Sequence, residues 1–128
     1  MLKKIFKQRI NEIHEKFKDE NVLIADDASN FFGQESLGTW KVRGNEILLL
    51  TEKELYFGMW KPKKELLIPV KSIIEIRNPK SHMHRSVFRP LLKIIFKNES
   101  GESDSVAWYV RHLDKWNEIL NELISTNI

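Results

Sequence analysis

The sequence predicts an α+β domain in which an antiparallel β-sheet wraps into a barrel and a C-terminal helix closes it. Two periodic patterns of hydrophobic residues support this prediction. Apolar and polar residues alternate through much of residues 45–110, as in strands with one buried face, whereas apolar residues recur every three or four positions from Leu113 onward, as in a helix. Wrapping the sheet around a core would remove its exposed edges, which otherwise invite pairing with other chains.

Length and composition are those of a single globular domain, which we expect to span residues 1–128. The chain has 128 residues, of which 41% are hydrophobic and 30% charged, a mixture typical of folded proteins. Lys and Arg total 21 against 18 for Asp and Glu, and so small a surplus does not favour nucleic-acid binding. The sequence contains no cysteine, which excludes disulfides and thiolate sites. We expect a cytoplasmic protein, free or peripheral to the inner face of the membrane.

Residues 1–18 predict an extra, amphipathic N-terminal helix. The apolar positions of this segment fall on one helical face and are Leu2, Ile5, Phe6, Ile10, Ile13 and Phe17. Charged residues interrupt it too often for a signal peptide or a membrane span. We expect the apolar stripe to dock on the domain. The alternatives are a partner helix or a membrane surface, and the membrane alternative is suggested by Lys3, Lys4 and Lys7.

Residues 20–111 predict the strands. After a first part of short strands broken by turns, Ile47–Thr51 and Glu54–Trp60 have the pattern of a hairpin. The next strand, with inward-facing apolar residues at 66, 68 and 70, contains Pro69, which lacks a backbone donor. This strand is therefore expected to lie at a sheet edge or to end at the proline.

The remaining segments predict a strand at Ile73–Arg77, a long loop over Asn78–Arg89, and two further strands near 92–96 and 106–110. A capping helix follows over residues 112–125. Its apolar stripe is Leu113, Trp116, Ile119, Leu120, Leu123 and Ile124.

Several of these segments resemble bacterial pleckstrin-homology-like and GRAM-like domains. The segments are the strand–turn–strand residues Leu48, Leu50, Thr51, Leu55, Tyr56 and Phe57, the run Ile68-Pro69-Val70 with Ile73 and Ile76, and the helix tryptophan Trp116. The resemblance covers about residues 44–124. It implies a bent antiparallel barrel of about seven strands with a C-terminal capping helix, and a binding module rather than an enzyme.

The chain departs from that pattern in two places. It has the additional N-terminal helix. It also lacks a clear basic phosphoinositide motif in the first strand pair, where Phe31, Gly33, Gln34 and Glu35 stand instead.

Two basic clusters are the candidate sites for an anion or a partner. The first belongs to the long loop and consists of Arg77, Lys80, His82, His84, Arg85 and Arg89, which would gather around a phosphate, a lipid head group or an acidic partner. The second, at a turn, would place a tryptophan at a membrane interface and lysines on anionic lipid. Its residues are Trp60, Lys61, Lys63 and Lys64. For each cluster the alternative is an ordinary solvated loop or a packed aromatic side chain.

Other residues predict no chemistry. His82 and His84 would project the same way from an extended segment, but two ligands do not make a metal site, and we interpret them as solvated loop residues. The carboxylates of Asp26 and Asp27 are expected to bond backbone or solvent rather than to act together in catalysis. No catalytic triad, phosphate-binding glycine loop or zinc motif appears, so an enzyme would need an unconventional site. The resemblance to pleckstrin-homology-like domains implies a non-enzyme, and we expect no cofactor.

The sequence therefore predicts a non-enzymatic binding module that recognises a protein partner or an anionic membrane surface. The alternative is a small carrier or enzyme that holds an apolar ligand inside the barrel. A large interior cavity would favour the alternative. Surface binding would be favoured if the interior were filled by Leu55, Phe57, Leu92, Ile94, Phe96, Trp108 and Trp116.

Overall fold

A computed structural model describes residues 11–12, 15, 21–27, 29–36, 46–60, 63–83, 85–86 and 89–126. Of the predicted N-terminal helix, it describes Asn11, Glu12 and Glu15, which are helical and exposed. The rest of that predicted helix lies outside the described residues. No helix in the described ranges has the length and apolarity needed to cross a membrane.

The described part of the chain contains ten β-strands, a short 3₁₀ turn and a long C-terminal helix. In chain order they are β1 (Val22–Asp26), β2 (Asn30–Gln34), β3 (Glu46–Thr51), β4 (Glu54–Trp60), β5 (Lys63–Pro69), the 3₁₀ turn η1 (Val70–Ser72), β6 (Ile73–Arg77), β7 (Ser81–His82), β8 (Arg85–Ser86), β9 (Leu92–Lys97), β10 (Ser103–Tyr109) and α1 (Leu113–Thr126).

Eight of these strands form two antiparallel sheets. Sheet A has the strand order β1-β3-β4-β5, and sheet B has the order β2-β10-β9-β6. The chain changes sheet three times, from β1 to β2, from β2 to β3, and from β5 through η1 to β6. The strands β7 and β8 form a separate hairpin.

The predicted α+β class and the C-terminal helix are confirmed, but the predicted closed barrel is not. The described strands form two four-stranded sheets, and none of their ladders joins β5 to β6. The physical reason lies at Pro69, because this residue has no N–H to donate and the chain turns away from sheet A through η1 directly after it. The prediction that this strand ends at Pro69 or lies at an edge is confirmed on both counts.

Two predicted non-strand regions turn out to contain strands. Lys63 and Lys64, assigned to a turn from sequence, begin β5, where they pair with Trp60 and Met59. Lysine is tolerated in this position because β5 is an edge strand, where charged residues are common. The predicted long loop over Asn78–Arg89 contains the hairpin of β7 and β8.

One hydrophobic core lies between the two sheets and α1. At its centre the rings of Phe31, Phe57 and Trp108 pack with centroids 4.8 to 5.7 Å apart. Trp116 and Leu120 of α1 are fully buried against the strands. All seven side chains expected to fill the interior belong to this core, with exposed fractions of 4% or less: Leu55, Phe57, Leu92, Ile94, Phe96, Trp108 and Trp116.

A smaller cluster lies on the opposite face of sheet A. It consists of Ile47, Leu49 and Tyr56, each at most 2% exposed. Burial, together with the charge of Glu65 and a hydrogen bond to it, raises the pKa of Tyr56 to about 12. The phenol lies over Gly58, where an added Cβ would stand 2.8 Å from the Tyr56 hydroxyl. Glycine at this position therefore leaves room for the aromatic ring.

Candidate functional site

Two arginines of the predicted loop site already have protein partners. Arg77 Nη2 lies 3.1 Å from the Glu75 carboxylate, two residues before it on the exposed side of β6. Arg89 Nη1 donates to the hydroxyl of Tyr109 at 3.2 Å. Lys80 is exposed between β6 and β7. These contacts use arginine donors that a bound phosphate would need.

His82 is buried, so its interpretation as a solvated loop residue is wrong. It is 4% exposed, and Nε2 lies 3.1 Å from the carbonyl oxygen of Gly33, to which it donates a hydrogen bond. Burial and the charge of Lys93 lower the pKa of His82, while the Gly33 bond and Glu35 act in the opposite direction. The β7–β8 hairpin causes this burial by folding the imidazole against β2.

The other residues of the loop cluster are only partly described. Arg85 belongs to β8, where its backbone pairs with His82. His84 lies outside the described residues. Within the described part of the chain, no group of three His, Cys, Asp or Glu side chains is arranged to hold a metal ion.

The second predicted cluster flanks the connection between β4 and β5. Trp60 is the last residue of β4 and pairs with Lys63, the first residue of β5, while Lys64 pairs with Met59. β4 and β5 therefore form the predicted hairpin. Lys61 lies outside the described residues.

A surface groove that the sequence did not predict lies between β5 of sheet A and the neighbouring ends of β2, β9 and β10 in sheet B. Its volume is about 870 Å³. We call it the inter-sheet groove. Its described lining is Gln34, Ser36, Glu65, Leu66, Leu67, Pro69, Ser72, Phe96, Lys97, Asn98, Glu99, Ser100 and Asp104.

A hydrogen-bonded carboxylate fixes the sheet B wall of the inter-sheet groove. Asp104, only 2% exposed, accepts bonds from Gln34 Nε2 at 2.8 Å, from the Ser36 hydroxyl at 2.6 Å and backbone N–H at 3.0 Å, and from the Ser105 N–H at 2.8 Å. Burial alone would raise the pKa of Asp104, but the bonds from Ser36, Gln34 and Ser105 outweigh it and lower the pKa. The carboxylate is therefore held ionised and immobile.

The opposite wall is the edge of sheet A. β5 is the last strand in the order of this sheet, so no described strand pairs with it on the side away from β4. Two large hydrophobic side chains in the described ranges are exposed to solvent: Leu67 of β5, at 48%, and Ile74 of β6, at 52%. On its outer side this edge therefore has no described strand partner, and it carries an exposed apolar side chain.

The inter-sheet groove has an acidic character. Its described ionisable lining comprises three carboxylates, those of Glu65, Glu99 and Asp104, and one lysine, Lys97. Because the groove is partly enclosed by protein, this charge is less screened than it would be on an open surface. A cationic group would be favoured there over an anionic one.

Comparison with known proteins gives a likeness of fold. No family model matches the sequence, and no curated protein is similar to it. Among solved structures, the fold is similar to the crystal structure of the C-terminal domain of an unknown protein from Leishmania infantum, with a TM-score of 0.56 and 14% sequence identity, over 89% of this chain and 96% of that chain. At this level of identity, the likeness concerns the fold alone.

Proposed function

We propose that this chain is a non-enzymatic binding module of pleckstrin-homology-like architecture, which recognises a segment of a protein partner on its outer surface. The order of elements supports the architecture: two antiparallel sheets are followed by a helix whose tryptophan, Trp116, is buried against the strands. The described residues include no metal-binding group.

The observation that carries the proposal is the filled interior. Side chains from both sheets and α1 occupy the space in which a carrier would hold an apolar ligand, and the Phe31, Phe57 and Trp108 rings meet at its centre. Closely packed interiors do not admit a ligand without displacing side chains. Recognition on the surface is therefore favoured over the alternative of a carrier or an enzyme with an internal site.

A protein segment is favoured over an anionic membrane because of the inter-sheet groove. This groove is concave, it has an exposed apolar residue at Leu67, and its carboxylates outnumber its lysine. Such a surface would repel anionic lipid head groups. The lysines beside Trp60 at the β4–β5 connection remain the place at which a membrane would make contact.

Two binding assays test the proposal. The protein is panned against a random linear peptide library, and it is sedimented with phosphatidylcholine vesicles with and without phosphatidylserine at low and high salt. We expect peptides to be enriched and the protein to stay in the supernatant. If the protein binds phosphatidylserine vesicles in a salt-sensitive manner and no peptide is enriched, the ligand is an anionic membrane rather than a protein segment. Absence of binding in both assays would overturn the binding module.

A further inference from the structure

The geometry points to strand addition at β5. We propose that the partner inserts an extended segment carrying lysine or arginine into the inter-sheet groove, where the segment pairs with β5 as an additional strand of sheet A. This inference rests on the proposed function, because it names the partner chemistry and the binding mode of the same module.

The backbone of β5 supplies the first part of the argument. A strand at the end of a sheet presents every second N–H and C=O away from its neighbour, and these groups pair readily with an incoming chain. β5 runs from Lys63 to Pro69 and pairs with β4 along its whole length, so its conformation is already that of a template strand. Pro69 donates no hydrogen bond, so it marks the end of the usable edge.

The space beside β5 supplies the second part. Strands in a sheet lie about 4.8 Å apart, so an added strand needs room next to the edge. The inter-sheet groove provides about 870 Å³ there. On its far wall the Ser36 hydroxyl already bonds Asp104 and the Asn98 side chain bonds the β9–β10 turn, so the added strand would be paired on its β5 side only. The segment would thus fill the gap between the two sheets.

Charge and apolar contact select the sequence of the segment. Glu65 on β5 and Glu99 on the β9–β10 turn line opposite sides of the groove. The Glu65 carboxylate also accepts a hydrogen bond from the Tyr56 hydroxyl, and the buried Asp104 adds a negative charge behind the wall. Lysine or arginine side chains complement this charge. Leu67, which is 48% exposed, offers a surface for one apolar residue of the segment.

The test uses the full chain and the peptides enriched from the random linear library. Their consensus is expected to contain a basic and an apolar residue. For one such peptide, affinity is measured by fluorescence anisotropy against the wild-type protein, Leu67→Lys and the matched control Ile74→Lys, which places the same lysine on β6 at an equally exposed apolar site. We expect Leu67→Lys to weaken binding by about tenfold or more, because the new lysine removes the apolar contact and repels a basic segment, and Ile74→Lys to leave affinity unchanged.

A second measurement separates strand addition from charge attraction and needs no protein variant. The same peptide is N-methylated at alternate residues, which removes backbone donors while leaving the side chains and charge intact. Binding is expected to fall by about tenfold for one of the two alternating sets, since a strand bonds its neighbour through every second residue.

The outcomes distinguish this inference from the proposed function. If peptides bind but are acidic, tolerate both N-methylation patterns, or respond equally to Leu67→Lys and Ile74→Lys, strand addition at β5 is wrong while the binding module stands. If no peptide is enriched, the protein-binding function itself fails.

Discussion

Asp26 joins the end of β1 to the segment that leads into α1. Its buried carboxylate accepts the backbone N–H of Arg111 at 2.6 Å and the Arg111 Nε at 3.2 Å. The neighbouring Asp27 is exposed and meets only the guanidinium end of the same arginine, at 2.9 Å. The interpretation that this acidic pair bonds backbone is thus confirmed for Asp26, and the two carboxylates differ in burial although they are adjacent.

Replacing Asp26 should cost much more stability than replacing Asp27. We expect Asp26→Ala to lower the free energy of unfolding by about 2–4 kcal/mol, because it leaves the partly buried N–H of Arg111 without its acceptor and removes a charge-assisted bond from a buried carboxylate. Asp27→Ala should lower it by less than about 1 kcal/mol, as is usual for exposed ion pairs. Urea denaturation of both variants measures this difference, and equal losses would contradict the assigned role of Asp26.

His82 makes stability depend on pH in a predictable direction. Its pKa in the folded protein lies below the ordinary value of 6.5, chiefly because of burial, so the unfolded chain binds a proton more readily than the folded one. Stability from this group is therefore present above about pH 6.5 and is lost as pH falls from there towards the folded pKa.

The variant His82→Gln retains an N–H donor for Gly33 but does not titrate. We expect its free energy of unfolding to fall less than that of the wild type when the pH is lowered from neutral into the acidic range, because the proton uptake by the unfolded imidazole is gone. The exposed His112 provides the control, as His112→Asn, since asparagine tolerates the positive φ of 59° found there. Identical pH profiles for wild type and His82→Gln would contradict the account of His82.

Among the elements, strands were easier to predict than the crossings between sheets. A compact apolar run located β3, hydrophobic patterns located β4, β6, β9 and β10, and Pro69 marked both the end and the edge position of β5. The crossing from β1 to β2 gave no such signal, because it occurs within three residues, Asp27 to Ser29, of ordinary composition. The sheet partner of a strand depends on contacts far apart in sequence, which alternation alone does not encode.

Trp116 anchors α1 to the hydrophobic core between the sheets. It is fully buried, whereas the neighbouring Lys115 is exposed on the same helix. We expect Trp116→Ala to lower the free energy of unfolding by about 3–5 kcal/mol, because it leaves a large cavity between α1 and the sheets. Lys115→Ala should change it by no more than about 0.5 kcal/mol. Thermal and urea unfolding check both variants, and a small effect at Trp116 would mean that α1 does not cap the core.

For the whole molecule, the sequence predicted the proposed binding surface less well than the core. Basic residues in a loop are visible in a sequence, but the structure gives Arg77 and Arg89 local partners and buries His82. The inter-sheet groove brings together residues from β2, β5, β9 and β10. β2, β5 and the β9–β10 pair are far apart in the sequence, so no local pattern predicts the groove. One local signal existed at Leu67, an apolar residue on the face of β5 that alternation assigns to solvent.

The account depends most on an open edge at β5 beside a filled core, and amide hydrogen exchange measured by NMR tests this directly. In the free protein, every second amide between Lys64 and Ile68 should exchange rapidly, while the intervening amides and those of β4 and β9 are protected, because β4 is the one described strand that pairs with β5. Adding an enriched peptide should protect the rapid set. Uniform protection along β5 in the free protein would show that the edge is already paired, and would contradict the account.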